Sequence, residues 1–232
     1  MNAKKLSFLL LILVAVACTN RSTSSEQDEM RHWNNVLQQI NALLLENKAR
    51  QTLDLAKQTL PEILESAEKN GTTDTLIYYA RKIFNACGNN YINTKQYKDG
   101  IDYMDSIGNH PLIREHCPHE LLSFKAGLNQ LYGNNPEAVR LAEDYLQLPV
   151  CTSANDFIRQ AEIISGVYMY SGNNLPKAIQ ILEKAIDVYR KGGNFPNMLR
   201  IMSRLGIYYH LSGEYEKAIA TNQEAIAKIG RA

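Results

Sequence analysis

Metal-binding side chains crowd one short stretch of this 232-residue chain, where His110, His116, Cys117 and His119 lie within ten positions. Imidazole nitrogens and thiolates are the ligands that zinc prefers in proteins. The run His116-Cys117-x-His119, however, does not have the spacing of a known closed zinc site. We therefore interpret the cluster as a polar loop and helix start, and the sequence predicts neither a metal site nor a cofactor.

Catalytic motifs are not found elsewhere in the sequence. It contains no Ser-His-Asp elbow, no Gly-rich phosphate loop, no HExxH and no DxDxDG. Lys and Arg total 25 against 24 Asp and Glu, and this balance does not suit nucleic-acid binding, which depends on excess positive charge. The thirteen tyrosines lie mostly at packing positions of predicted helices. We therefore expect no enzyme and no nucleic-acid partner, and favour a binding surface.

The N-terminus has the composition of a targeting segment. Lys4 and Lys5 precede an unbroken apolar run, Phe8 to Ala17. That run has the length of a signal-peptide core and is too short to span a membrane. It ends in Ala15-Val16-Ala17-Cys18, which resembles the lipobox of bacterial lipoproteins, with Ala15 where that family most often has Leu.

The lipobox resemblance implies cleavage of a signal peptide over residues 1–17 and acylation of Cys18. The expected location is the cell envelope of a Gram-negative bacterium, as a periplasm-facing lipoprotein in the inner or outer membrane. The alternatives are an ordinary signal peptide with a chance Cys, or an uncleaved anchor. Loss of residues 1–17 leaves 23 basic and 24 acidic side chains, a net charge of −1.

The residues after Cys18 predict a linker and then one helical domain. Thr19 to Glu29 contains no large apolar residue, so residues 18–29 are assigned to the lipidated Cys and a flexible linker. From Met30 onward, apolar residues recur at three- and four-residue spacing, which predicts helices throughout residues 30–232. The second predicted helix contains Pro61, and we expect a kink or break there.

Small residues mark a repeat along this helical domain. Gly100, Ala138, Ala178 and Ala218 follow one another at spacings of 38, 40 and 40 residues. A fixed period in this range indicates an all-α solenoid of stacked helix pairs. Asn109-His110-Pro111 closes one unit, Pro118 opens the next helix, and Asn135 is expected to cap a helix that starts at Pro136.

The last unit resembles the tetratricopeptide repeat (TPR) family. Its matching residues are Leu205, Gly206, Tyr209, Gly213, Tyr215, Ala218 and Ala225. The unit departs from the family pattern at Met202 and Asn222, and the earlier unit has Lys95 in place of the turn Gly. The resemblance implies a right-handed superhelical solenoid of stacked antiparallel helix pairs, with residues 30–70 as a degenerate or capping pair.

A TPR solenoid binds its partners in a concave groove lined by the first helix of each pair, so the resemblance points to the outward faces of these helices. Their mixture of amides and cations suits an extended peptide or an acidic chain terminus, although each residue could equally belong to a plain solvated face. The candidate groove residues are Lys82, Asn85, Asn89, Ser123, Gln130, Arg159, Glu162, Met169, Arg200, Ser203 and His210.

Three functions are compatible with these features. The first is a non-enzymatic, lipid-anchored TPR protein that binds a protein or peptide. The second is the extracytoplasmic sensory region of a longer signal-transduction regulator, which needs a membrane span and an output domain after Ala232. The third is a glycan-binding lipoprotein, for which the chain looks too short. The apolar side of the last helix, with Ile219, Ile226 and Ile229, also suggests self-association.

Overall fold

The computed structural model describes residues 27–149, 154–192 and 195–229, and within these ranges the chain forms eleven helices and no strand. The first helix, α1, spans residues 27–45. The others are α2 (Ala49–Asn70), α3 (Asp74–Asn93), α4 (Tyr97–Ile107), α5 (Pro111–His116), α6 (Pro118–Tyr132), α7 (Asn135–Gln147), α8 (Ala154–Tyr170), α9 (Leu175–Gly192), α10 (Phe195–Ser212) and α11 (Tyr215–Ile229).

The first two helices differ from the sequence prediction, one in where it begins and the other at its proline. Residues 27–29, assigned to the linker, already belong to α1, where Glu29 accepts a hydrogen bond from the Ser66 hydroxyl at 2.8 Å. Helix α2 continues through Pro61 without a break. Helix α3 begins after Thr73, whose side chain accepts a hydrogen bond from the Leu76 amide and so satisfies one of the free N–H groups of the helix.

The segment before α6 differs from the prediction made from the sequence. Pro111 begins a short additional helix, α5, rather than closing a unit in a loop. Proline is favoured there because the first turn of a helix needs no amide hydrogen from it. His110 caps this helix by accepting a hydrogen bond from the Leu112 amide. Asn135 is likewise not a cap, because it is already the first residue of α7.

The helices stack in antiparallel pairs as a right-handed TPR-like solenoid, which confirms the predicted fold class. The pairs are α1/α2, α3/α4, α6/α7, α8/α9 and α10/α11, with α5 between the second and third. The repeat-marking residues Gly100, Ala138, Ala178 and Ala218 are all buried. A Cβ on Gly100 would lie 3.0 Å from both Tyr91 and Leu128, so a larger residue has no room there.

Left-handed backbone reverses the chain between the two helices of several pairs. Gly133 and Gly213 have φ values of 95° and 83°, which glycine adopts without steric cost. Lys95 takes the corresponding turn position at φ 59°. The turn geometry is therefore kept even where the repeat lacks its glycine, at some conformational cost to the lysine.

The buried apolar residues form two clusters that meet at α6. Phe124 and Leu128 belong to the N-terminal cluster, whereas Ala126 on the same helix belongs to the C-terminal one. Helix α6 therefore joins the two halves of the solenoid. No helix among the described residues is long and apolar enough to cross a membrane.

Candidate functional site

The inner helices enclose a concave hollow of about 730 Å³, bordered by α1, α3, α8 and α10. Five of the eleven candidate groove residues line it: Lys82, Asn85, Asn89, Arg159 and Arg200. Its other lining residues are Leu37, Ile40, Asn41, Leu44, Tyr78, Ala86, Asn90 and Asn93. The structure thus brings residues from three of the predicted first helices together, with α1 as an additional wall.

Asparagines form one wall of the concave hollow. Asn85, Asn89 and Asn93 follow one another at four-residue spacing along α3, so they lie on one face of the helix. The Asn89 side-chain amide donates to the Asn85 backbone carbonyl at 2.9 Å. Asn90 is fully buried and donates to the Ala86 carbonyl, while its Oδ1 has no hydrogen-bond partner within the described part of the chain. This wall therefore lines the hollow with side-chain amide groups.

Glu162 organises the cationic wall of the concave hollow. Its carboxylate is buried, and its Oε2 lies 2.6 Å from Arg200 Nη2 and 3.6 Å from Arg159 Nη1. Arg204 donates to the Glu162 backbone carbonyl at 3.0 Å. The Glu162 carboxylate thus pairs with two guanidinium groups and its backbone carbonyl accepts from a third, and the cluster as a whole carries excess positive charge.

Arg159 links the cationic wall to the asparagine wall. Its Nε donates to Asn89 Oδ1 at 2.7 Å, a contact between residues 70 positions apart. Burial lowers the pKa of Arg159, the nearby Arg200 and Arg204 cations lower it further, and Glu162 opposes the shift. Because arginine starts far above neutral pH, it stays charged. The side chain is therefore held in a fixed position with its charge intact.

The other candidate groove residues do not share one surface. Ser123 is a correction, because it is fully buried and its hydroxyl donates to the Glu120 carbonyl instead of facing a groove. Gln130 and Met169 are half-buried. Ser203 and His210 are exposed on α10, and the His210 ring packs against Tyr215 with centroids 5.4 Å apart. None of these five lines the concave hollow.

Several residues of the site were missed from the sequence. Arg204 was one, although it follows Arg200 by one helical turn and therefore shares its face. Asn93 extends the spacing of Asn85 and Asn89, so the same periodicity predicts it. Asn41 and the α1 wall had no such signal, because residues 30–70 show little of the repeat pattern.

The histidine and cysteine residues near α5 have other contacts. His110 Nε2 lies 3.2 Å from Glu68 Oε1, and its Nδ1 caps α5. His119 Nε2 lies 2.7 Å from the Pro149 carbonyl, and Cys117 is buried. Across the described ranges, no three His, Cys, Asp or Glu residues are placed to hold a metal ion. Cys18, the predicted lipidation site, lies outside the described residues.

Comparisons with known proteins agree with the helical-repeat geometry. Residues 161–228, which fall in the last two helix pairs, match the family model described as Tetratricopeptide repeat. No curated protein matches the sequence. The sequence match shows tetratricopeptide-repeat sequence in residues 161–228, and the similarity to solved structures shows a TPR-like fold.

Two of the similar solved structures share the fold at low sequence identity. One is the putative kinesin light chain TPR-like repeats from Podosopora anserina, with 13% identity, a TM-score of 0.54, and coverage of 88% of this chain and 98% of that chain. The other is BtubC (BKLC) from P. vanneervenii, with 12% identity, a TM-score of 0.56, and coverage of 77% and 72%. At such identities the similarity concerns the fold alone.

Proposed function

We propose that this chain is a non-enzymatic, lipid-anchored TPR protein of a Gram-negative cell envelope, facing the periplasm, and that its concave hollow binds an extended acidic segment of a partner protein. The observation that carries the binding proposal is the pairing of Arg159 and Arg200 on buried Glu162 beside the asparagine wall. The concave hollow thus combines fixed positive charge with amide groups.

The amide groups suit the backbone of an extended peptide. Each asparagine side chain carries two donors and one acceptor, so it can bond both the N–H and the C=O of a peptide unit. Asn41 and Asn85 extend the same chemistry across the concave hollow.

The charge balance of the hollow favours an acidic segment. Glu162 neutralises one of the three arginines around it, and Arg200 keeps half of its side chain exposed to solvent. A guanidinium has five donors in a planar arrangement, so Arg200 can pair with a second carboxylate without leaving Glu162. Tyr78, Leu37 and Leu44 supply apolar surface for neighbouring side chains of the segment.

A photo-crosslinking amino acid tests where the partner binds. Placed at Asn85 of the full-length chain in cells, it should yield a discrete adduct with another protein. The same amino acid at Arg140 should not yield that adduct, because Arg140 is exposed on α7, the second helix of its pair. Equal adducts at both positions, or none at Asn85, would contradict binding in the concave hollow.

The membrane anchor rests on the lipobox-like sequence and has its own test. Radiolabelled palmitate should label the wild-type chain and should not label the Cys18→Ala variant. An unlabelled wild-type chain would refute lipidation and would leave the peptide-binding proposal to be judged by the crosslinking result.

A further inference from the structure

Large apolar side chains are exposed together at the C-terminal end of the solenoid. All five belong to α10 or α11, and each exposes more than half of its surface: Ile207, Leu211, Tyr215, Ile219 and Ile226. Scattered single exposures are ordinary on a protein surface, but a group of this size on two adjacent helices marks an interaction surface. We refer to these five side chains as the terminal face.

The preceding repeat shows what kind of element covers such a face. Ile219 and Ile226 correspond, 40 residues earlier, to Ile179 and Ile186 on α9, which are 6% and 4% exposed. Helix α9 packs on one side against its own pair partner α8 and on the other against α10. Ile179 and Ile186 are therefore buried under α10, the first helix of the next pair, and covering Ile219 and Ile226 requires a packed helix as well.

The α10 residues of the terminal face can be compared with the preceding repeat as well. Tyr168 precedes Ala178 by ten residues, whereas Tyr209 precedes Ala218 by nine. The α8–α9 connection is therefore one residue longer, and Ile207 corresponds to Gly166 on α8. A Cβ on Gly166 would lie 3.8 Å from Gln130 Oε1 on α6 and 3.9 Å from Arg204 Nη1 on α10, so that position lies between the preceding and the following first helices. Residues of both α10 and α11 are therefore exposed on the side where, in the preceding repeat, the next first helix packs.

The spacing on α11 is that of a helix-pairing seam. Tyr215, Ile219 and Ile226 are separated by four and seven residues, a spacing that keeps them on one side of the helix. Ala220 and Ala227 flank this seam and are exposed. Their small side chains let a second helix approach closely, so α11 itself has the form of the helix that the terminal face needs.

The opposite end of the solenoid excludes head-to-tail stacking of copies. The outward positions of α1 are polar and exposed: Arg31, Asn34, Asn35, Gln38 and Gln39. Packing the terminal face on them would bury polar groups against isoleucines, which costs free energy. A two-fold arrangement avoids this, because it joins the same surface of both copies.

We infer that the terminal face binds a second copy of this chain, with α11 of each copy packed across a two-fold axis. Five half-exposed large side chains present roughly 600 Å² per copy, so a pair buries about 1,200 Å², the lower limit of a stable interface. The dimer is therefore reversible and stops at two copies. This inference does not depend on peptide binding in the concave hollow.

Sedimentation equilibrium of the full-length chain in mild detergent tests the dimer over about 1–100 μM. Wild type should shift from one to two copies, and the double variant Ile219→Asp/Ile226→Asp should remain a single copy. Leu45→Asp is the matched control, because Leu45 is 86% exposed at the end of α1, away from the terminal face. It should dimerise like wild type.

Circular dichroism verifies that the double variant stays helical, as expected for substitutions at exposed positions. A wild-type chain that remains a single copy at the highest concentration would overturn the inference. Assembly beyond two copies would overturn the two-fold geometry, and dimerisation of the folded double variant would overturn the assignment to α11.

Discussion

Gly88 leaves no room for a side chain between α3 and α6. A Cβ at this position would lie 2.4 Å from Phe124 Cγ and Cδ2, where unstrained carbons stay about 3.5–4.0 Å apart. The Phe124 ring is fully buried and packs edge-on against Phe84 at 6.2 Å, so it cannot turn away freely. Gly88→Ala must therefore push α3 and α6 apart or displace that ring.

The magnitude follows from two opposing contributions. Alanine in place of a helical glycine ordinarily stabilises by about 1 kcal/mol, whereas overpacking a core costs about 1–3 kcal/mol. The overlap here exceeds 1 Å, so the upper part of that range applies and Gly88→Ala should lose about 1–2 kcal/mol net. For a chain of this size, that loss lowers the melting temperature by about 2–8 °C.

Gly166 provides a matched control for this substitution. Like Gly88, it lies on the first helix of a pair. A Cβ there, however, would be 3.8 Å from Gln130 Oε1 and 3.9 Å from Arg204 Nη1, which are ordinary contact distances. Gly166→Ala should therefore raise the melting temperature by about 2–4 °C, as helix propensity predicts. Thermal unfolding followed by circular dichroism measures both variants.

A double-mutant cycle with Phe124→Leu tests the cause. If the ring is the obstacle, the cost of Gly88→Ala should shrink by at least about 0.5 kcal/mol in the Phe124→Leu background. The reasoning is refuted if Gly88→Ala melts at or above wild type, or if Gly166→Ala loses as much stability as Gly88→Ala.

Three further predictions concern a turn, a helix contact and the buried ionisable groups. Lys95→Gly should stabilise by about 1 kcal/mol in urea unfolding, because glycine adopts the φ of 59° without strain; an unchanged or lower midpoint would contradict this. Ala218→Leu should lose about 1–3 kcal/mol by overpacking α10 against α11, and an unchanged melting temperature would place Ala218 away from that contact. Burial raises the pKa of the Cys87 thiol from 9.0 to about 12 and that of the Tyr91 phenol from 10.0 to about 12. The unfolded chain loses these protons at lower pH, so the contribution of these two groups should be constant below pH 9 and stability should fall between pH 9 and pH 12; a flat melting temperature between pH 9 and pH 12 would contradict it.

The repeat architecture could be predicted because its signal is local and recurrent. Small residues such as Gly100 and Ala178 occur wherever two helices approach closely, and burial of both confirms the register assigned to them. The family match over residues 161–228 covers the last pair, whose residues resemble the family pattern, and the pair before it. Helix α5 escaped prediction because Pro111 both breaks helices and begins them, and the neighbouring residues carry no further start signal.

The groove was harder to predict because each first helix contacts neighbours on both sides. Periodicity shows which residues share a helix face, but the adjacent helices decide how much of that face stays open. Ser123 and Glu162 were both assigned to an accessible face, and both are buried. Glu162 nevertheless belongs to the site, since Arg159 and Arg200 converge on it. Contacts between residues as distant as Asn89 and Arg159 leave no trace in local spacing.

The affinity of the chain for an acidic peptide tests the central claim most directly. A peptide taken from the segment crosslinked at Asn85 should bind wild type in calorimetry, and replacing its acids with amides should weaken binding. Arg200→Ala should lower the affinity at least tenfold, about 1.4 kcal/mol. Arg140→Ala removes a similarly exposed arginine from α7 and should leave the affinity unchanged. Equal affinities for Arg200→Ala and wild type would contradict recognition of an acidic segment in the concave hollow.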